Sequence, residues 1–216
     1  MIRTSDKLLE KVGEDLIWRR KELTELKGII EKSKDNPILS RVLLRTSVAI
    51  LYAHWEGFVK KSSQYYLEYV ASQRLPYEKL TANFIALTLK SKFSELGANV
   101  KLSAGINLAN FFCNSLSKQS NIPYKSGVDT QSNLSSTVLI DIITILGLDI
   151  SGFETRFKFI DSNLVNPRNH IAHGQKLDIS INDYQELHVN VLALIEGFRN
   201  EIENASITRK FEKKQP

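Results

Sequence analysis

The chain has 216 residues, enough for one domain with a real hydrophobic core. Its composition, 42% hydrophobic and 25% charged with a net charge of +5, is typical of a soluble globular protein and compatible with an anionic partner such as nucleic acid. The single cysteine, Cys113, excludes an intramolecular disulfide and a cysteine-based metal cluster, and its apolar neighbours predict a buried thiol. The chain lacks an apolar leader and an apolar stretch long enough to span a membrane, so we expect a cytoplasmic protein with no membrane partner.

Hydrophobic periodicity in the N-terminal third predicts two long helices. Ser5 caps the first, which runs to about Lys32 with apolar residues three and four positions apart and charged residues on its other faces. Pro37 opens the second and longest helix, which extends to about Ser72. Its apolar residues cover so much of the circumference that we expect this helix to lie at the centre of a bundle.

The rest of the chain predicts shorter helices and one long polar segment. Residues 117–133 form that segment, which we expect to be a mobile loop, and the basic residues 206–216 predict a frayed tail. The expected shorter helices cover residues 77–93, 102–116, 134–146 and 151–164. Gly97 would end the first of these, and Ser132 or Asn133 would cap the third. A last helix would run from a cap at Ser180 or Asn182 to about Ile202. These elements predict an all-α fold in which residues 1–205 form a single bundle-like domain of about six to eight helices.

The segment 166–174, Asn-Pro-Arg-Asn-His-Ile-Ala-His-Gly, concentrates more polar chemistry than any other part of the chain. Asn166 is a favourable N-cap, and Pro167 suits the first helical position, where its missing N–H costs nothing. Gly174 suits the left-handed residue that ends a helix. These local rules predict a short helix that begins at Pro167 and ends at His173.

Three side chains of this short helix could carry a reaction. His173 could act as a general base or acid, because histidine exchanges protons near neutral pH. Arg168 offers a planar set of donors that fits a phosphate, and the first-turn N–H groups beside it also favour an anion. On an ideal helix Asn169 shares a face with His173, while Arg168 reaches in from the side.

This set of residues suits cleavage of an RNA phosphodiester bond. His173 would take the proton from a ribose 2′-OH, and Arg168 would stabilise the charge that develops on the phosphate. The scheme requires neither a metal ion nor another cofactor. The alternative is that these side chains merely occupy the ends of a surface helix, because so loose a spacing arises easily by chance.

A second polar group lies in the long second helix. Tyr52 and Glu56 are four residues apart and share a face, and Arg45 lies on the same side nearly two turns earlier. If Glu56 is buried in this apolar stretch, it needs a cationic or hydrogen-bonding partner. If it is exposed, a surface ion pair with Lys60 is the simpler interpretation. Both alternatives remain open from the sequence.

Both polar groups resemble the signatures of a known family. Arg168-Asn169, three further residues, His173 and then Gly174 are similar to the R-x4-H motif of HEPN domains, and the text from Leu164 to Gly174 resembles the RiboL-PSP-HEPN branch and its MAE-type relatives. The segment 52–60, Tyr-Ala-His-Trp-Glu-Gly-Phe-Val-Lys, is similar to the second signature of that branch. The likeness spans about residues 37–205, which would be the HEPN core, with 5–33 as an accessory helix.

The resemblance implies an all-α domain and an activity on RNA. Many HEPN domains are metal-independent endoribonucleases of toxin–antitoxin and anti-phage systems, so an antitoxin protein is an implied partner. The resemblance further implies a homodimer in which two motifs face each other and form one composite RNA cleft. Arg168 and His173 would be catalytic and Asn169 would position them. The supporting residues would be Glu56, Tyr52 and His170, the last through packing rather than catalysis.

Two other functions are compatible with the same residues. One is a non-catalytic HEPN module that binds RNA or a protein, since some members of such families bind without cleaving. The other is a structural subunit of a toxin–antitoxin pair. Cleavage of RNA by the purified protein separates the enzyme from both alternatives.

Overall fold

The computed structural model describes the backbone of residues 1–96 and 102–214, and across these residues the chain is a bundle of helices without β-strands. The predicted all-α fold is thereby confirmed. No helix within the described ranges is long and apolar enough to cross a bilayer. The α-helices are α1 (Ser5–Lys32), α2 (Pro37–Ser72), α3 (Ala82–Leu96), α4 (Leu102–Asn114), α5 (Ser136–Leu146), α6 (Phe157–Phe159), α7 (Asn166–Ala172) and α8 (Ile181–Ile207), with 3-10 turns at Tyr77–Lys79 and Glu154–Arg156 and a π-helical segment at Ile160–Val165.

Helix α2 is the central element, as its wide apolar surface predicts. It packs against α1, α7 and α8. Its inward face carries Tyr52, Trp55 and Phe58, none of them more than 1% exposed, and Trp55 meets Phe198 of α8 edge to face at a centroid distance of 6.2 Å. Burial of such large aromatic side chains supplies much of the stability of the bundle.

Side-chain caps decide where several helices begin. The Thr4 hydroxyl, rather than Ser5, caps α1 by accepting the Lys7 N–H. The Ser135 hydroxyl caps α5, so the predicted start after Ser132 or Asn133 is wrong by two to three residues. Ser180 caps α8 and forms a capping box with Asp183, which is one of the two caps that the sequence allowed.

The C-terminal tail is docked rather than frayed. Phe211 is fully buried against Tyr69, and its carbonyl oxygen accepts the Thr81 N–H at 3.0 Å. The Lys213 N–H donates to the Lys79 carbonyl at 2.9 Å. These bonds hold the backbone between the 3-10 turn and α3 in an extended conformation (Leu80, φ −87°, ψ 149°). This explains why α3 begins at Ala82, five residues later than predicted; the predicted stop at Gly97 lies outside the described residues.

Segment 117–133 is a loop, as predicted, and it is anchored in the core, because Ile122, Val128 and Thr130 are at most 5% exposed. The expectation of a buried Cys113 is wrong. Cys113 is exposed on α4 rather than buried. It lies two residues from Phe111, which packs on the core, and side chains two apart on a helix point in nearly opposite directions.

Two buried histidines make the stability dependent on pH. His54 of α2 and His188 of α8 are 5% and 6% exposed, and burial lowers the pKa of both, although nearby Glu22 partly opposes this for His54. Below a pH of about 6.5, the unfolded chain therefore binds more protons than the folded one. The contribution of these two histidines to the free energy of unfolding is fully present above that pH. It is lost as the pH decreases toward their lowered folded-state pKa values.

We therefore expect a lower urea midpoint at pH 5.5 than at pH 7.5. The variant His54→Gln/His188→Gln should show a smaller difference between the two pH values, because it lacks both titrating groups. An unchanged difference in this variant would show that other groups cause the pH dependence.

Candidate functional site

The motif helix α7 continues an existing helix instead of starting a new one. Val165, the residue that precedes it, has helical angles (φ −70°, ψ −52°), and Asn166 forms no side-chain cap. The predicted cap at Asn166 is therefore wrong. Without a free N-terminus at this point, the anion site expected from first-turn N–H groups is absent as well.

Pro167 explains the unusual helical segment in front of it. A proline inside a helix lacks a donor, and its ring clashes with the carbonyl four residues earlier. The segment Ile160–Val165 is wound as a π-helix, in which the Asn166 N–H reaches back five residues to the Asp161 carbonyl. This wider turn accommodates Pro167 without breaking the helix. The π segment thus sets the rotation at which α7 presents its polar side chains.

The C-terminal end of α7 follows the prediction closely. Gly174 is left-handed (φ +71°), its N–H donates to the Ile171 carbonyl, and the Gln175 N–H donates to the His170 carbonyl. These two bonds form a Schellman motif, with His173 as the last residue before the glycine. Arg45 of α2 donates from Nη2 to the Gln175 carbonyl at 2.7 Å and ties this helix end to the central helix.

The Arg168 guanidinium contacts three other residues. Its Cζ atom lies 4.5 Å from the centre of the Tyr52 ring, a cation–π distance. Its Nη1 donates to Asn169 Oδ1 at 2.8 Å, and its Nη2 donates to the Ser132 carbonyl at 3.1 Å. Arg168 is half-buried and its bond to Ser132 lies at the exposed surface, so the guanidinium is held in place at the surface of the domain.

Tyr52 and Glu56 form the polar support beneath Arg168. The buried Tyr52 hydroxyl accepts the Leu134 N–H at 2.6 Å. Burial raises the pKa of Tyr52 to about 12, and the nearby negative charge of Glu56 contributes in the same direction. Glu56 is half-buried and one of its carboxylate oxygens is buried without a hydrogen-bond partner; within the described chain it forms no ion pair with Lys60. The expected surface ion pair between Glu56 and Lys60 is therefore absent from the described chain, and Glu56 lies beside the Tyr52 hydroxyl instead.

The two histidines of the motif face solvent. The side chains of His170 and His173 are exposed, and neither imidazole forms a hydrogen bond with the parts of the chain that the structure describes. The fold therefore brings Arg168, Asn169 and Tyr52 into contact, with Glu56 beside Tyr52. It leaves His173 free to meet a partner from outside the chain. Across residues 1–96 and 102–214, no cluster of His, Cys, Asp and Glu has a metal-binding arrangement.

The second signature contains residues with structural rather than chemical roles. The guanidinium of Arg19 in α1 lies directly over Gly57, and a Cβ atom on Gly57 would come within 2.9 Å of Arg19 Nη1. Arg19 is itself buried and paired with Asp15 at 2.7 Å, and it donates to the His54 carbonyl. Gly57 thus leaves room for the Arg19 guanidinium, which a larger residue at this position would displace.

The chain matches the model of a known protein family. The model of the RiboL-PSP-HEPN family matches residues 14–204, and both signatures described above lie inside that range. The chain belongs to the RiboL-PSP-HEPN family. The match begins inside α1, so it covers more of the chain than the resemblance of the two signatures did. Comparisons with curated proteins and with solved structures give no match.

Membership in the RiboL-PSP-HEPN family indicates an RNase or an RNA-binding module. Sequence reasoning selected Arg168, Asn169 and Tyr52, which the HEPN fold brings together, but it missed three contributors to their environment: Ser132, Asn133 and the pairing of Arg45 with Gln175. Segment 131–134 has no periodicity that would signal its position. The adjacent residues Gln131 and Ser132 both have positive φ, which only the structure shows.

The Tyr52 hydroxyl offers a test of this support. Tyr52→Phe keeps the ring beneath Arg168 but leaves the buried Leu134 N–H without an acceptor, so we expect the free energy of unfolding to fall by about 1–3 kcal/mol. Urea unfolding at pH 7.5 measures the change. Tyr65→Phe on the same helix is the matched control, because the Tyr65 hydroxyl has no hydrogen bond within the described residues. A loss no larger than that of the control would contradict the proposed support.

Proposed function

We propose that this RiboL-PSP-HEPN protein is a metal-independent endoribonuclease in which Arg168 and His173 are catalytic and Asn169 positions Arg168. The observation that carries the proposal is the environment of Arg168: a half-buried cation held by a ring, an amide and a carbonyl, the last through a hydrogen bond at the exposed surface. An arginine that only decorated a helix surface would not need three fixed partners. The net charge of +5 agrees with a polyanionic substrate.

The chemistry follows from the two side chains. His173 accepts the proton of a ribose 2′-OH, whose oxygen attacks the adjacent phosphorus while the bond to the 5′-oxygen of the next nucleotide breaks. Arg168 donates to the phosphate oxygens on which negative charge increases. The leaving 5′-oxygen takes up a proton, so the products carry a 2′,3′-cyclic phosphate and a 5′-hydroxyl. Neither step calls for a metal ion or a cofactor.

A homodimer is part of the proposal. His173 has no partner within the described chain, and an orienting group from a second copy would complete the site. Near the motif, the first turns of α2 expose the apolar side chains of Ile38, Leu39 and Val42, which are 71%, 46% and 54% exposed. Apolar side chains grouped in this way favour burial in an interface. Two facing motifs would also place two Arg168 side chains along one RNA backbone.

The biological role that we propose is that of a toxin in a toxin–antitoxin or anti-phage system, with an antitoxin protein as partner. This part rests on family resemblance rather than on a contact in the molecule. Growth arrest on expression in a bacterial host, relieved by His173→Ala, would support it. Normal growth with active wild-type enzyme would contradict the toxin role without affecting the enzymatic one.

The direct test is incubation of the purified protein with RNA in the presence of EDTA. We expect cleavage products with 2′,3′-cyclic phosphate ends. If the wild type cleaves no RNA but binds it in a salt-dependent manner that Arg168→Ala abolishes, the protein is an RNA-binding module. Full dependence on a divalent metal ion would also refute the proposed mechanism.

A further inference from the structure

Segment 131–134 contacts three different residues of the candidate site. The Ser132 carbonyl accepts Arg168 Nη2, Asn133 Oδ1 accepts Asn169 Nδ2 at 3.3 Å, and the Leu134 N–H donates to the Tyr52 hydroxyl. Each of these bonds connects residues at least 36 positions apart in the chain. Three consecutive residues therefore bind the Arg168 guanidinium, the Asn169 amide and the Tyr52 hydroxyl.

This segment is held firmly from both sides and has an unusual backbone. Before it, Thr130 is 2% exposed; after it, both the N–H and the hydroxyl of Ser136 donate to the Asp161 carboxylate, at 2.8 and 2.6 Å. Gln131 and Ser132 have φ values of +54° and +53°, a conformation that residues with a Cβ atom rarely adopt twice in succession. Strain of this kind persists only where surrounding contacts impose it.

The Asn169 amide transmits the position of this segment to Arg168. An amide has a donor end and an acceptor end, and the acceptor Asn133 Oδ1 engages the donor end of Asn169. The acceptor end, Asn169 Oδ1, then necessarily faces Arg168 Nη1, at 2.8 Å. Without Asn133, the amide of Asn169 is held by Arg168 alone, so the amide and the guanidinium can move together.

We propose that Asn133 is a positioning residue of this site and that segment 131–134, through the Asn169 amide and the Ser132 carbonyl, sets the direction in which Arg168 meets the RNA phosphate. The part that concerns RNA rests on the proposed function. The part that concerns the orientation of Arg168 depends only on the contacts within the chain.

The test compares Asn133→Ala with Asn133→Asp. The aspartate keeps an acceptor oxygen for Asn169 Nδ2, whereas alanine does not. We expect Asn133→Ala to lower kcat for RNA cleavage about tenfold or more with KM changed less than about threefold, because a misplaced arginine weakens mainly the transition state. Asn133→Asp should restore most of the loss. Asn200→Ala, at an exposed asparagine on α8, serves as control and should match the wild type.

A second measurement keeps this inference independent of activity. The Nε–H signal of Arg168 is assigned by its loss in Arg168→Lys, and its heteronuclear NOE reports how firmly the side chain is held. We expect the NOE to fall in Asn133→Ala and to remain high in Asn133→Asp and Asn200→Ala. If Asn133→Ala does not fold, Asn133→Ser, whose hydroxyl is too short to replace the amide oxygen, takes its place.

The two proposals fail in different ways. An unchanged NOE in Asn133→Ala, or an unchanged kcat in an active enzyme, overturns the positioning role of Asn133. A wild type that cleaves no RNA, with the expected loss of NOE in Asn133→Ala, overturns the proposed enzymatic function while the positioning of Arg168 by segment 131–134 stands.

Discussion

Replacing His173 with alanine is expected to reduce the rate of RNA cleavage by about 10²- to 10⁴-fold, the usual contribution of a general base. The His173 imidazole is exposed and forms no hydrogen bond within the described residues, so its removal takes away the proton acceptor and little else. The fold and the environment of Arg168 should remain intact. Cleavage of a fluorescent RNA oligonucleotide in EDTA measures the effect.

His170 provides a matched control for this prediction. It lies three residues earlier, within α7, and its side chain is also exposed. His170→Ala should keep a rate within about threefold of the wild type, because an exposed side chain outside the reaction has little influence on the transition state. Equal cleavage by His173→Ala and the wild type, or equal losses in both variants, would refute the assignment of His173.

Replacing Trp55 with alanine is expected to lower the free energy of unfolding by about 3–5 kcal/mol, the usual cost of deleting a buried aromatic side chain. Trp55 is fully buried at the centre of α2 and packs edge to face on Phe198 of α8. The cavity left by alanine would lie between the central helix and α8, where backbone atoms cannot move closer without disturbing other contacts. Urea unfolding followed by circular dichroism measures the loss.

Trp55→Phe is the control that separates volume from aromatic packing. It retains a ring against Phe198 and removes an indole N–H that is buried without a hydrogen-bond partner. We expect a cost below about 2 kcal/mol, since most of the packing volume is kept. A small loss in Trp55→Ala would indicate that α2 and α8 are not tightly packed at this point. Because Trp55 belongs to the second signature, a large loss in Trp55→Ala would show that this residue of the signature contributes to stability.

Many helix positions and helix ends could be predicted from neighbouring residues in the sequence. The apolar spacing of α1, α2 and α8, the proline at the start of α2, the left-handed Gly174 and the cap at Ser180 all appear in the structure. Each of these depends on residues within one or two turns of each other, so local rules are sufficient. Asn166 and Pro167 satisfy the same rules and nevertheless lie inside a longer helix, because the π segment before them accommodates the proline.

The candidate site shows the same division. The spacing of Arg168, Asn169 and His173 in the sequence places them on one short helix, and the resemblance to HEPN domains points to RNA. Neither periodicity nor spacing predicts that Arg168 rests on Tyr52 or that it donates to Ser132. A segment without periodicity can lie over any surface that its anchors allow, and those anchors are tertiary contacts.

The amino-acid pattern alone therefore determines that this chain is all-α, that α2 is central, and that 166–174 concentrates polar side chains on one short helix. Only the folded chain determines that segment 131–134 packs against residues 168 and 169. The same is true of the buried Glu56 carboxylate oxygen that has no hydrogen-bond partner. The reason is physical: helix formation depends on neighbours a few residues apart, whereas the orientation of Arg168 depends on bonds to residues 36 or more positions away, which form only when the helices pack.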